Sequence, residues 1–398
     1  MNNVFTFKLQ EVDSQELTSA LLHYFGQSQG VGELTHKYQK KDSTHHLIVK
    51  FNRDGKISQV ELSEKFPKEE LKQLNHALNE NLLKNQKEEI GQTIGFSHDK
   101  VGGYFKYKDL FQILPVPPDA PKAGVMVADN PFLLQFKYIS SPDMMIDNSR
   151  RRQKAYIYTR LLNLLLNRHI KLEFRYGHFA WVMNTHTPQH WTSEWRQLGY
   201  GYEGYGGKVD DYTSLSEFKH LETVPYQNYY LAPLASYSGD LKLPDNLEAS
   251  LDKAFNLNKS DWNKLYMAIS WYGQNEYLWQ ESTSSAFIAL VTALECLLEE
   301  TDKSRCECCG QPIYTVTKRF REFLKRYVPF IDQYPKERDV IYTIRSNISH
   351  GRELLIQDLE PWGFLISAKK EEQDAIHRNL YFIVGIAIYN WLWNNPNK

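Results

Sequence analysis

The sequence lacks long apolar segments. No apolar run follows Met1, which argues against a signal peptide. The most apolar stretch, Leu380–Tyr389, is too short to cross a bilayer. Cysteine is scarce as well, since the chain has only 4, too few and too unevenly placed for the disulfide framework of a secreted protein. These absences predict a cytoplasmic protein without a membrane segment.

The chain also lacks an excess of either charge. It has 47 Lys and Arg against 48 Asp and Glu, a net charge of -1. Nucleic-acid binding would therefore depend on local basic patches and not on a global field. Aromatic residues are abundant, with 25 Tyr, 20 Phe and 9 Trp among 398 residues. That composition is typical of packed globular structure, and the length predicts at least two domains.

The first 245 residues mix strand and helix patterns. An Asp-Gly turn signal between the alternating segments 46–51 and 57–62 predicts a hairpin. Leucines at helical spacing after Pro67 predict an amphipathic helix. A proline cluster predicts a break, and a possible boundary, near 115–125. We therefore expect an α+β region over 1–245.

A basic cluster at 150–154 precedes a segment, 154–166, with helical spacing. The start of a helix is the unfavourable end for cations. The cluster therefore indicates either a phosphate partner or a solvated loop.

From Pro244 onward, apolar residues recur at helical spacing only. The apolar stripes fall within five segments, at 262–272, 287–298, 316–327, 340–348 and 376–391. Because each apolar face needs another to cover it, these stripes predict an all-α helical bundle over 246–398.

The fourth of these segments leads into the run Arg-Ser-Asn-Ile-Ser-His-Gly at 345–351. Arg345 follows the apolar Ile341 by one turn, so its side chain needs a partner or a wet groove. Gly351 is a plausible helix C′ residue. His350 would then lie in the last turn, where the helix dipole favours a protonated imidazole.

This run resembles the motif of HEPN ribonucleases, in which an arginine is followed by a histidine near the end of a core helix. Together with the Leu-Val-Thr-Ala-Leu-Glu segment at 290–295, it is most similar to the ApeA-like branch of that superfamily. The resemblance covers the C-terminal region alone. It implies a homodimer whose motif helices face each other and cut RNA without a metal ion. It also implies a bacterial toxin or phage-defence role, with the N-terminal region sensing an unknown trigger.

The residue types suit this chemistry. Arginine is always charged and forked, which fits phosphate oxygens, and histidine is the usual group for proton transfer near neutral pH. Carried over from the resemblance, Arg345 holds the scissile phosphate and His350 acts as general acid or base. Ser346 takes the position of the polar residue that commonly follows the arginine, and Asn347 is a further RNA contact. The products implied are 2′,3′-cyclic phosphate and 5′-hydroxyl ends.

The same pair also has a structural interpretation. Arg345 could form an ion pair with Glu295, whose helix is otherwise apolar, and His350 could cap the helix carbonyls. The alternative function is therefore a non-catalytic HEPN module that dimerises or binds a ligand or RNA.

Four cations of the third segment, Lys318, Arg319, Arg321 and Lys325, surround an apolar seam. They predict either an RNA-backbone surface beside the cleft or a solvated helix face.

Three of the cysteines, Cys306, Cys308 and Cys309, crowd together just before this basic segment. Structural zinc needs four ligands, and the sequence has no second cysteine pair of this kind. A possible zinc site would need ligands from a distant histidine or a partner chain. The alternatives are a reduced thiol cluster and redox sensing, and no cofactor is expected for catalysis.

Overall fold

The computed structural model describes residues 4–97, 99–117, 130–168, 170–172, 178–184, 192–198, 206–231, 239–299, 316–333, 335–359 and 368–394. The strands are β1 (Ser28–Gly32), β2 (Thr35–Tyr38), β3 (Leu47–Phe51), β4 (Ile57–Leu62), β5 (Glu88–Ser97), β6 (Phe105–Tyr107), β7 (Phe111–Pro115), β8 (Asn130–Ile139), β9 (Ile170–Leu172), β10 (His178–Asn184), β11 (Thr192–Leu198), β12 (Gly207–Val209), β13 (Thr223–Val224) and β14 (Leu243–Pro244). The helices are α1 (Ser14–Phe25), α2 (Lys68–Asn79), α3 (Met144–Leu165), α4 (Tyr226–Leu231), α5 (Leu247–Phe255), α6 (Lys259–Glu281), α7 (Thr283–Glu295), α8 (Val316–Tyr327), α9 (Pro335–Ser349), α10 (Ile356–Leu359) and α11 (Ala368–Asn394).

The predicted fold class is confirmed. Antiparallel sheets with helices form the N-terminal region, and a helical region, α5–α11, follows it. The five apolar stripes lie on α6, α7, α8, α9 and α11, and the second continues past the end of α7 through Leu297 and Leu298. Among the described residues, no helix combines the length and the apolar composition that a membrane span requires.

The first sheet has the order β1-β2-β3-β4, and all its pairings are antiparallel. The predicted hairpin is confirmed, with Leu47 opposite Leu62 in the register of β3 and β4. Gly55 in the turn has a φ of 76°, a conformation that favours glycine. Leu17 of α1 and Leu74 of α2 are buried in one core with Val49 of β3. This core holds residues 4–84 together.

The second sheet has the order β12-β5-β8-β7-β6, and β9 also pairs with β5. Helix α3 packs on this sheet, where Tyr158 lies 4.7 Å from Phe111 and 5.9 Å from Phe136 between ring centroids. The same core continues into the helical region through Leu265 of α6 and Leu290 of α7. The division of the chain at residue 245 stays a prediction, and apolar packing is continuous across it. Most of the proposed boundary near 115–125 lies outside the described residues.

Helix α3 begins at Met144 and not near Lys154, so the predicted helix start and the solvated loop at 150–154 are wrong. Asp143 caps the helix by accepting hydrogen bonds from the N–H groups of Met145 and Ile146. Arg150 lies within the helix and donates to both carboxylate oxygens of Glu16 on α1, each at 2.6 Å. A bidentate pair of this kind is the stronger type of ion pair. It joins the N-terminal sheet region to α3.

Candidate functional site

Helix α9 carries the motif on the edge of the helical region. Ile341 is buried, and Ile344 and Ile348 pack against the same core. Helix α9 contacts α7 along this face. The apolar stripe therefore fixes the rotation of α9 and places Arg345 at the boundary between core and solvent.

The end of α9 is a Schellman motif. Gly351 has a φ of 68°, and its N–H donates to the carbonyl of Ile348 at 3.0 Å. The N–H of Arg352 donates to the carbonyl of Asn347 at 2.8 Å. The prediction of Gly351 as the C′ residue is confirmed. His350, directly before it, has an exposed side chain at the negative end of the helix.

Arg345 contacts the neighbouring helix. Its Nη2 donates to Oε2 of Glu295 on α7 at 3.1 Å. Its guanidinium lies 5.9 Å from the ring centroid of Tyr342. The ion pair expected from the structural interpretation is therefore present. This ion pair is accessible to solvent, because the side chains of Arg345 and Glu295 keep 27% and 20% of their surface exposed.

One carboxylate oxygen of Glu295 accepts no described hydrogen bond. Its Oε1 is buried and has no hydrogen-bond partner among the residues that the structure describes. Glu295 is also the last residue of α7, where the helix dipole disfavours a negative charge. Arg345 compensates the charge of Glu295 through Oε2, and Oε1 keeps no described donor.

The segment after His350 is anchored to the start of α7 by Asp358. The Asp358 carboxylate accepts from the N–H groups of Thr283 at 2.7 Å and Ser284 at 2.9 Å, and from the hydroxyl of Ser282 at 2.9 Å. Burial acts to raise the pKa of Asp358, but these hydrogen bonds outweigh it and hold the pKa below its usual range. Sequence reasoning missed Asp358, although the Ser-Thr-Ser-Ser run before an apolar helix signals an N-terminus that needs an acceptor.

Ser346 and Asn347 contribute to the helix end. The carbonyl of Ser346 accepts from the N–H of His350 at 3.1 Å. Asn347 Nδ2 donates to Glu353 Oε2 at 3.2 Å, which ties α9 to the segment after the turn. Their roles as catalytic and RNA-binding residues stay predictions.

The basic helix α8 lies beside α9. Phe320 of α8 is 5.4 Å from the ring of Tyr342, which in turn lies beside Arg345. The four cations predicted to bind RNA all contact acidic residues or a carbonyl of the same chain. The contacts are Lys318 with Glu322 at 3.9 Å, Arg319 with the Glu299 carbonyl at 3.0 Å, Arg321 with Asp339 at 3.0 Å and Lys325 with Asp332 at 3.5 Å. Such exposed pairs contribute little to stability, and RNA binding by these cations stays a prediction.

The cysteines predicted as zinc ligands, Cys306, Cys308 and Cys309, lie outside the described residues. Cys296, directly after Glu295, is a free thiol, and burial, with the nearby charge of Glu295, raises its pKa. Within the described part of the chain, no group of three or more His, Cys, Asp or Glu residues is arranged for a metal ion. Structural zinc stays a prediction.

A second histidine of the helical region lies in the core. His377 of α11 is hydrogen-bonded through Nε2 to Oδ1 of Asn275 on α6 at 2.9 Å. Burial lowers the pKa of His377 to about 3. It is therefore neutral at physiological pH and unsuited to donating a proton.

No model of a known protein family matches the chain, and no curated protein or solved structure matches it either.

Proposed function

We propose that this chain is a metal-independent endoribonuclease of the HEPN type. It acts as a homodimer and cuts RNA to 2′,3′-cyclic phosphate and 5′-hydroxyl ends. The observation that supports this proposal is the state of the motif pair. Arg345 and His350 both reach solvent at the end of one core helix, whose other face is packed.

In the proposed chemistry, Arg345 and His350 have different roles. Arg345 binds the scissile phosphate and stabilises the charge that develops on its oxygens. His350 transfers a proton, either from the 2′-hydroxyl or to the leaving 5′-oxygen. Ser346 lies beside Arg345 in the chain as a further polar group. In the dimer, the two motif pairs line a shared cleft.

Apolar surface near the motif supports the dimer. Val340 on α9, Leu354 after the turn and Leu359 at the end of α10 are all exposed. A partner chain that contacts this part of the molecule would remove such side chains from water. We propose that a second copy of the chain covers them.

The setting follows from the resemblance. We propose a bacterial toxin or phage-defence effector in the cytoplasm, whose N-terminal region senses an unidentified trigger. The bidentate contact of Arg150 with Glu16 supports a mechanical link between that region and α3, which packs on α6.

One observation favours the alternative, a non-catalytic module that dimerises or binds a ligand or RNA. Arg345 is engaged by Glu295 within the same chain, as a structural arginine would be.

The first test is growth on expression of the wild type and the variants Arg345→Ala and His350→Ala. The second is incubation of purified protein with total RNA in EDTA. We expect cleavage by the wild type that falls at least about 100-fold in both variants. Matched controls are Arg53→Ala and His76→Ala, which replace an exposed arginine and an exposed histidine of the N-terminal region. A wild type that binds RNA without cutting it, and variants that keep its affinity, would establish the alternative.

A further inference from the structure

We propose that Glu295 is the general base of the cleavage and that His350 of the same site is the general acid. This inference rests on the proposed ribonuclease function and adds a residue to it. Each chain would then supply a base, a phosphate-binding arginine and an acid.

The first argument is the position of the carboxylate. Glu295 lies on α7, and its Oε2 accepts a hydrogen bond from Nη2 of Arg345 on α9 at 3.1 Å. A guanidinium has five N–H groups arranged in a planar fork. Arg345 can therefore keep Glu295 on one edge and take a phosphate on the other. That arrangement brings the carboxylate next to the 2′-oxygen that attacks the phosphorus.

The second argument is the unused acceptor. Oε1 of Glu295 is buried and has no donor within the described part of the chain. A buried acceptor without a partner is costly. Because the Glu295 side chain keeps 20% of its surface exposed, rotation of the carboxylate can present an oxygen to a donor from outside. The 2′-hydroxyl of a bound ribose is such a donor, and its hydrogen bond to a carboxylate is the geometry from which a base removes a proton.

The third argument is the state of the other carboxylates near the motif. Glu353 accepts from Asn347, and Asp358 is held by the first residues of α7. Glu299 pairs with Arg326 at 3.6 Å. Glu295 is the carboxylate that both touches Arg345 and keeps an oxygen without a described donor.

The step balances within the site. The Glu295 carboxylate takes the proton of the 2′-hydroxyl as the O2′–P bond forms. The P–O5′ bond breaks, and the imidazolium of His350 gives its proton to the 5′-oxygen. The products are a 2′,3′-cyclic phosphate and a 5′-hydroxyl. Protonated Glu295 and neutral His350 then return to their starting states by proton exchange with water.

The test separates base catalysis from positioning. Glu295→Gln keeps the shape and an oxygen that accepts from Arg345 but removes the base. We expect single-turnover cleavage to fall at least about 100-fold. Binding of the same RNA with a 2′-deoxy nucleotide at the cleavage position should stay equal or become tighter, since a negative charge beside the phosphate is lost. Glu295→Asp should restore measurable cleavage. Glu299→Gln, in the segment after α7, is the matched control that should cleave normally.

Three outcomes would overturn the inference. If Glu295→Gln cleaves as fast as the wild type or faster, Glu295 is not the base. If both Glu295 variants lose cleavage, RNA affinity and melting temperature together, the residue only supports the fold. If a folded wild type cuts no RNA at all, the ribonuclease proposal fails and this inference falls with it, a result distinct from the other two.

Discussion

The side chain of Arg160 on α3 lies against the backbone of Gly273 on α6. A Cβ added at Gly273 would come within 2.9 Å of both Cδ and Cζ of Arg160. Arg160 is buried, and its guanidinium lies 5.7 Å from the ring centroid of Tyr277. The crossing of these two helices therefore depends on the missing side chain at Gly273.

Replacing Gly273 by alanine should destabilise the protein by about 1–3 kcal/mol, because a buried guanidinium has to move to make room. Urea unfolding followed by circular dichroism measures the change. Gly30→Ala is the control, since no atom lies within 4 Å of a Cβ at that position. Equal unfolding midpoints for Gly273→Ala and the wild type would show that Arg160 can move at no cost.

His377 should make stability depend on pH. Burial lowers its pKa to about 3, whereas a histidine in an unfolded chain titrates near 6.5. Between these values the unfolded state binds a proton that the folded state does not, so stability decreases as the pH falls below about 6.5. The loss is about 1.4 kcal/mol per pH unit.

Urea unfolding at pH 7 and pH 5 tests this expectation. The wild type should lose about 2 kcal/mol more than His377→Gln between the two conditions. Glutamine can still hydrogen-bond to Asn275 but does not titrate. Parallel pH dependence in the two proteins would mean that His377 is not the group responsible.

Asp358 should stabilise both α7 and the turn that carries His350. Asp358→Ala removes the acceptor for the first N–H groups of α7, and the expected loss is about 1–2 kcal/mol. Because hydrogen bonds hold the pKa of Asp358 below its usual range, this contribution is complete above about pH 4 and is lost at lower pH.

Thermal unfolding and amide hydrogen exchange of residues 351–359 report this change. Exchange there should accelerate in Asp358→Ala and stay unchanged in Asp54→Ala, which alters an exposed turn residue. Protection that survives in Asp358→Ala would show that the segment is held by other contacts.

Arg321 should affect RNA affinity far more than stability. Arg321→Gln loses an exposed pair with Asp339, at a cost below about 1 kcal/mol. If α8 follows the RNA backbone, affinity falls and the slope of log K against log salt decreases by about one. Lys72→Gln on α2 is the control. A salt slope that does not change would assign α8 to the solvated face instead.

Local spacing predicted much of this fold because its causes are local. The turn at Gly55, the five apolar stripes and the C′ position of Gly351 each depend on residues within a few positions of one another. The start of α3 was missed because Arg150 is compensated by Glu16, which is 134 positions away in the chain. A basic cluster inside a helix then appears, from sequence alone, like a loop.

Some contacts of the candidate site could also be predicted from the sequence, and others could not. The ion pair between Arg345 and Glu295 could be predicted from the sequence, because a lone carboxylate on an apolar helix needs a cation. The contact of Asp358 with the start of α7 could not be predicted, because it joins residues 74 to 76 positions apart in the chain. The spare oxygen of Glu295 depends on three-dimensional packing around one atom, which no sequence pattern encodes.

The apolar core that continues across residue 245 limits which fragments of the chain can fold. A fragment that begins at residue 246 would lack the strand and α3 residues that pack in the same core as Leu265 and Leu290. We expect the separated helices to expose that apolar surface to water and to aggregate. Assays of the motif therefore belong on the undivided chain.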